Sequence, residues 1–119
     1  MAEQRLIIEM GMGNDLHGQD YTKAAKRAVE DAFRHSSLPL FGATGLGHDE
    51  MQVKVTVAVQ VPGEVHADAV KSILPRGQVE VHVVAGGLNV ETDAGGPIVI
   101  AQASVEAFLP TQTGWRLKA

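Results

Sequence analysis

The chain has 119 residues, a length that suits a single domain, 1–119, with one core. Ten Lys and Arg against fourteen Asp and Glu leave a net charge of −4, and only one Trp, one Tyr and three Phe are present, so the basic, aromatic-bearing surface that nucleic acid needs is excluded. No cysteine occurs, which excludes disulfides, thiolate metal sites and cysteine nucleophiles.

The first residues, Met-Ala-Glu-Gln-Arg-Leu-Ile-Ile-Glu, contain no secretory core, and no apolar run approaches the ~18 residues of a membrane span. The expectation is a cytoplasmic protein with no membrane partner. Arg5 to Met12 alternates as a strand, with Leu6, Ile8, Met10 and Met12 on one face and Arg5, Ile7, Glu9 and Gly11 on the other. A glycine-rich segment, GMGNDLHGQD from Gly11 to Asp20, follows and reads as a loop. Asp20 to about Ser36 has helical spacing: Tyr21, Ala25, Ala28, Val29, Ala32 and Phe33 on one side, Lys23, Lys26, Arg27, Glu30, Asp31 and Arg34 on the other. Asp20 stands where an N-cap belongs.

Leu38 to Phe41 reads as a short strand, followed by a second glycine-rich loop from Gly42 that carries His48, Asp49 and Glu50. Met51 to Val61 alternates most clearly, with Met51, Val53, Val55, Val57, Val59 and Val61 on one face, and Pro62-Gly63 ends it. Val65 to about Leu74 reads as a short helix, Gln78 to Ala85 as a strand, Leu88 to Thr92 as a brief strand after Gly86-Gly87, and Ile98 to Leu109 as the last long strand. Two helices cannot cover both sides of such a sheet. The expected class is therefore α+β, a β-α-β-β-α-β sandwich with a mostly antiparallel sheet and both helices on one face. The other face would carry Ile7, Glu9, Thr56, Ala58, His82, Val84, Ile98, Ile100, Gln102 and Ser104. That mixture is too apolar for a water-washed surface, and it predicts an interface between copies of the chain, a homo-oligomer.

The stretches IIEMGMGNDLHGQDYTKAAKRAVEDAF, LPRGQVEVHVVAGGL and IVIAQASVEAFLP resemble a bacterial family of conserved short proteins of unassigned function, over Ile7 to about Leu109. The pattern GMGxDLHGxDxTKAA is the most specific part. The resemblance implies a fold similar to the C-terminal domain of tubulin-like proteins and to the Bacillus chorismate mutase class, and an assembly into trimers with sites at subunit boundaries. It implies no reaction, because fold does not fix function.

The Gly11–Asp20 segment is the best candidate for a site. It is neither a dinucleotide fingerprint, which would need glycine where Leu16 stands, nor a P-loop, which would need Gly-Lys-Ser/Thr. Gly13 and Asn14 could offer backbone amides to an anion ahead of a helix N-terminus. Asp15 and His17 form a possible acid–base pair, with Glu9 and Lys23 as electrostatic partners; the plainer reading is a capped helix with a surface histidine. His48, Gly86 and Gly87 complete the expected ligand-binding set. No metal motif is present, the donor spacing fitting neither HExxH nor paired helical histidines, and no cofactor is indicated. Two functions follow: an enzyme acting on a small, polar or anionic metabolite at a subunit interface, or a non-catalytic binding or regulatory module using the same pocket.

Overall fold

The computed structural model describes residues 3–34, 51–74, 77–93 and 96–110. Strand β1 spans Glu3–Asp15, helix α1 Tyr21–Phe33, strand β2 Gln52–Val59, helix α2 Ala67–Lys71, strand β3 Gln78–Ala85, strand β4 Leu88–Val90 and strand β5 Ile98–Pro110. A single 3-10 turn, Pro62–Glu64, links β2 to α2. The sheet order is β1-β5-β2-β3, with β4 also paired to β5. Every pairing is antiparallel except β2 with β3, which α2 joins as a parallel crossover. This is the expected α+β sandwich with a mostly antiparallel sheet. The expected strand at Leu38–Phe41 and the loop with His48, Asp49 and Glu50 lie outside the described residues.

The core lies between the inner face of the sheet and α1. Val53, Val55, Val57 and Val59 of β2 and Val99, Ala101, Ala103, Val105, Ala107 and Leu109 of β5 are buried there, against Tyr21, Ala24, Ala25, Ala28, Val29 and Ala32. Asp20 caps α1 as expected, its carboxylate accepting the Lys23 N–H at 3.0 Å. The second helical stretch is shorter than its periodicity suggests. Pro62 starts a 3-10 turn and only Ala67–Lys71 is α-helical, with Val70 and Leu74 anchoring it to the core.

Strand β1 corrects two expectations. It continues through Gly-Met-Gly-Asn-Asp to Asp15, so half of the supposed loop is strand. Its faces are also reversed. Gly11 pairs with Ala103, Gly13 with Ala101 and Asp15 with Val99, all inward positions of β5. Ile7 and Glu9 therefore lie on the helix side with the glycines, and Ile8, Met10 and Met12 lie on the outer face. The cause is steric. A Cβ on Gly13 would fall on the Ala28 nitrogen and the Ala24 carbonyl, and one on Gly11 on the Ala28 carbonyl and the Ala32 nitrogen. The α1 backbone rests directly on the two glycines, with Ala24, Ala28 and Ala32 as the only side chains small enough to share that line. An apolar Met row cannot fit where the helix sits, so it turns outward.

The outer face is ordered in lateral rows. Met10, Ser104, Thr56 and His82 lie side by side, then Met12, Gln102, Ala58 and Val84. At β4 the chain has moved from beside β2 to beside β5, and Leu88 adjoins Ile100. Gly86-Gly87 makes that step. Gly87 has φ +64 and passes against the Ala58 and Ile100 carbonyls, a path that excludes a side chain.

Gly13→Ala is expected to lower the unfolding free energy by at least ~1–3 kcal/mol, because the methyl forces α1 off the sheet. Gly63→Ala, whose Cβ would meet open space, should stay within ~0.5 kcal/mol of wild type. Urea denaturation followed by circular dichroism reads both, and equal midpoints would refute the close-contact account.

Candidate functional site

The inner row of β1 ends in a carboxylate. After Gly11 and Gly13 comes Asp15, level with the start of α1 and 1% exposed. Its Oδ2 accepts the Asp20 N–H at 2.8 Å. Its Oδ1 faces Lys23 Nζ at 3.6 Å and Arg27 Nη1 at 3.9 Å. Both cations remain about half exposed, so the charge of Asp15 is buried while its partners reach water. Lys23 and Arg27 lie four apart, on one face of α1. Between strand and helix, Leu16–Asp20 turns through Gly18 at φ +92 and Gln19 at φ +51. A left-handed glutamine carries a strain of about 1–2 kcal/mol. It is held by its amide, which donates to the Tyr21 hydroxyl at 3.3 Å.

Helix α1 also engages the free edge of β1 near its end. Arg27 Nη1 donates to the Asn14 carbonyl at 2.6 Å, and Asp31 Oδ2 accepts the Met12 N–H at 3.0 Å. One helical turn thus matches two strand residues, and at this point of the edge one N–H and one C=O are taken by the helix. On the other side of the helix start, Thr22 accepts the His66 N–H at 2.9 Å and donates to the Glu64 carbonyl at 3.4 Å. Beneath it, Asn89 Nδ2 of β4 donates to the Tyr21 hydroxyl at 2.7 Å.

These contacts frame an open groove of about 740 Å³ along the first two turns of α1, running from Gly18 and Gln19 past Lys23, Lys26 and Arg27 to Glu30, with Glu64 and His66 on the opposite wall. It opens on the helix side of the sheet, away from the outer apolar face.

Asp15 and Lys23 are therefore brought together, with Asp20 beside them. His17 is exposed and makes no contact with Asp15 among the described residues. Glu9 shares the face of Asp15 but lies six residues back along β1, ~20 Å at the usual rise per residue. Gly13 is buried under α1, and Asn14 gives its carbonyl to Arg27. Packing, not a ligand, thus occupies the space above Gly13, while the bond at Asn14 engages its carbonyl rather than the N–H expected to meet an anion. Gly86 and Gly87 serve the β3–β4 step, where both carbonyls accept from Gln60 Nε2 at 2.9 and 3.1 Å. They do not line the groove. His48 lies outside the described residues. Among the described residues no three His, Asp or Glu side chains converge as a metal set.

Sequence reasoning missed Arg27, Tyr21, Thr22, Lys26, His66 and Asn89 as members of this region. The i, i+3, i+4 cluster Lys23, Lys26, Arg27 was the available signal, and it is equally the pattern of a solvated helix face. Nothing local marks Asn89, whose role comes from the strand step at Gly87.

A family model described as "Conserved hypothetical protein (Lin0512_fam)" matches residues 5–107. No curated protein matches the chain. Among solved structures, an FtsZ-like protein of unknown function from Nostoc punctiforme is similar at 41% identity and a TM-score of 0.84, over 93% of this chain and 99% of that one. No helix among the described residues is long and apolar enough to cross a membrane.

Removing the buried carboxylate should be the most disruptive single change in this region. Asp15→Ala leaves the Asp20 N–H unsatisfied and two cations unpaired, and is expected to cost about 1–3 kcal/mol of stability. Asp20→Ala, which loses only the cap, should cost ~1 kcal/mol. Chemical denaturation of the two variants tests the order, and an Asp15→Ala protein as stable as wild type would remove Asp15 from the centre of the arrangement.

Proposed function

The chain belongs to the Lin0512 family of conserved hypothetical proteins, and from the groove beside α1 we propose that it is a non-catalytic module that binds a small polar molecule bearing an anionic group. The supporting observation is the pair of cations anchored by Asp15. One buried carboxylate holds both the ammonium of Lys23 and the guanidinium of Arg27 at the mouth of the groove. The two positive heads stand at the start of a thirteen-residue helix whose terminal amide at Lys23 is already taken by the Asp20 carboxylate, so the cationic side chains rather than the helix end are the groups offered to an anion. Lys26 adds a third cation and His66 a ring. Asp20, Glu30 and Glu64 also line the groove and balance the three cations, so a ligand with donor groups besides its anion fits better than a bare anion. The volume lies in the range of small-molecule sites, ~300–1,000 Å³.

The acid–base reading has less support. A general base needs its proton acceptor within hydrogen-bond reach of substrate and an orienting partner. Asp15 already accepts the Asp20 amide and is sealed from solvent. Among the described residues His17 has no carboxylate bonded to it that would orient it, and Glu9 is too distant to assist.

A nuclear magnetic resonance titration tests the binding reading. Added inorganic phosphate and small dicarboxylates should shift the backbone amides of Gly18–Arg27 and of His66, and Lys23→Glu with Lys26→Glu should weaken binding at least tenfold. Shifts that are absent, or equal in the charge-reversed protein, would rule the groove out as the ligand site.

A further inference from the structure

We infer that the free edge of β3 pairs with the same edge of a second copy, joining two sheets edge to edge as an antiparallel two-fold dimer. β3 is the last strand of the sheet, and only β2 pairs with it. The Gln78 N–H donates to the Met51 carbonyl at 2.8 Å and the Gly86 N–H to the Val59 carbonyl at 2.9 Å. In a parallel ladder alternate residues turn both backbone groups toward the same neighbour. Gln78, Glu80, His82 and Val84 therefore face β2, and Val79, Val81, Val83 and Ala85 direct their N–H and C=O groups away from it. Among the described residues nothing bonds to those outward groups.

The two edges of the sheet are built differently. β1 carries a register shift between Arg5 and Ile7, and Asp31 and Arg27 engage its Met12 N–H and Asn14 carbonyl. β3 lacks the usual protections of a free edge: its eight residues include no proline, lysine or glycine, and its register with β2 is unbroken. Its inward valines are also incompletely covered. Val53, Val55, Val57 and Val59 of β2 are at most 5% exposed, whereas Val79, Val81 and Val83 are only partly buried. An added strand with valines at the same spacing covers that flank.

The register indicates a copy. With the two-fold axis at Val81, the outward groups of Val79 meet those of the partner's Val83. The same register sets Glu80 opposite the partner's His82, and His82 opposite the partner's Glu80, where cross-strand side chains lie closest. Within one chain His82 Nε2 already stands 3.0 Å from Glu80 Oε1, so pairing closes a ring of alternating imidazoles and carboxylates. Moving the axis to Glu80 sets carboxylate on carboxylate, and moving it to His82 leaves Glu80 opposite the partner's Val84. Exposed charges of this kind fix register more than affinity, which the backbone bonds and the valines supply. A two-fold contact closes on itself and gives two chains, not three. It uses no residue of the groove.

Sedimentation equilibrium of the full chain, taken to millimolar concentration, should show one-chain and two-chain masses in exchange. Over the same range hydrogen exchange at the Val79, Val81 and Val83 amides should slow at least tenfold, while the Met10 amide, at the opposite edge, should not change. His82→Glu sets carboxylates against carboxylates and should weaken the dimer at least tenfold; adding Glu80→Lys should restore it. The two side chains are 44% and 70% exposed, so the fold tolerates both changes, and the exchange measurement needs neither. A one-chain mass throughout, exchange at Val81 that ignores concentration, wild-type association in His82→Glu, or no restoration in the double variant would each overturn the inference.

Discussion

The structure depends on a commensurate contact between one strand and one helix. Two residues of strand advance ~6.8 Å and four residues of helix ~6 Å. Gly11 and Gly13 therefore meet successive members of the row Ala24, Ala28, Ala32 along the same line. With no Cβ on the strand and only methyl groups on the helix, backbone approaches backbone, and the gain comes from many dispersion contacts rather than from bulky side chains. The register of everything nearby follows. The next inward position of β1 must be Asp15, the start of α1 must lie over it, and the side chains one turn apart at Arg27 and Asp31 must arrive at Asn14 and Met12.

That register also decides what the polar cluster can do. Asp15 is buried because the helix comes down on the glycines beside it, not because a cavity was built around it. A buried carboxylate is tolerated only when hydrogen-bonded and paired. The short bond from the Asp20 amide does more of this than the two cations, whose half-exposed heads at 3.6 and 3.9 Å are screened by water. The same looseness leaves Lys23 and Arg27 able to meet a ligand in the groove while Asp15 stays fixed beneath them. The hydrogen bonds of Thr22 and Tyr21 tie the helix start to the α2 side and to β4, so the groove has a floor bonded into the fold and half-exposed cationic heads above it.

Much of the architecture was legible because β2, β3 and β5 alternate cleanly. Valines at 53, 55, 57 and 59 can face only one way, and the outer positions from Thr56 to Ser104 were assigned correctly from their partners in the pattern. The Asp20 cap was legible for the same reason: an Asp before a helical period has one obvious use. Strand β1 was not, and the failure is specific. Period-two reasoning ranks faces by hydrophobicity, and it ranked Ile8, Met10 and Met12 above a row containing two glycines and an aspartate. Glycine carries no hydrophobic signal, yet here it is the inward residue, because closeness of approach rather than apolar area sets the contact. The site inherited that error. With the faces reversed, Glu9 joined an interface, Gly13 and Asn14 became a ligand cradle, and the strand was ended before Asp15. Arg27, Thr22 and Asn89 stayed hidden because their partners lie on other elements.

The distribution of residue size across the sheet carries the argument further. Along β5 the inward side chains are Val99, Ala101, Ala103, Val105, Ala107 and Leu109, while the outward ones run Ile98, Ile100, Gln102, Ser104, Glu106 and Phe108. Along β1 the inward positions shrink from Ile7 to Gly11 and Gly13, while the outward ones include Ile8, Met10 and Met12 before Asn14. A monomer selected for its own stability would place the larger apolar groups inside, where each buried methylene contributes ~0.8 kcal/mol. The inner face cannot accept them, since the helix sits too low, but this does not explain why the outer positions are not all polar. Exposed strand positions favour threonine, lysine or glutamate, and the row at Glu106, Lys54 and Glu80 demonstrates that this sheet accepts such residues where it meets water. Beyond that row Met10, Met12 and Val84 lie beside Ser104, Thr56, His82 and Gln102, so the outer face interleaves apolar and polar groups where the inner face, set by the close approach of the helix, admits only small or apolar ones over Gly11 and Gly13.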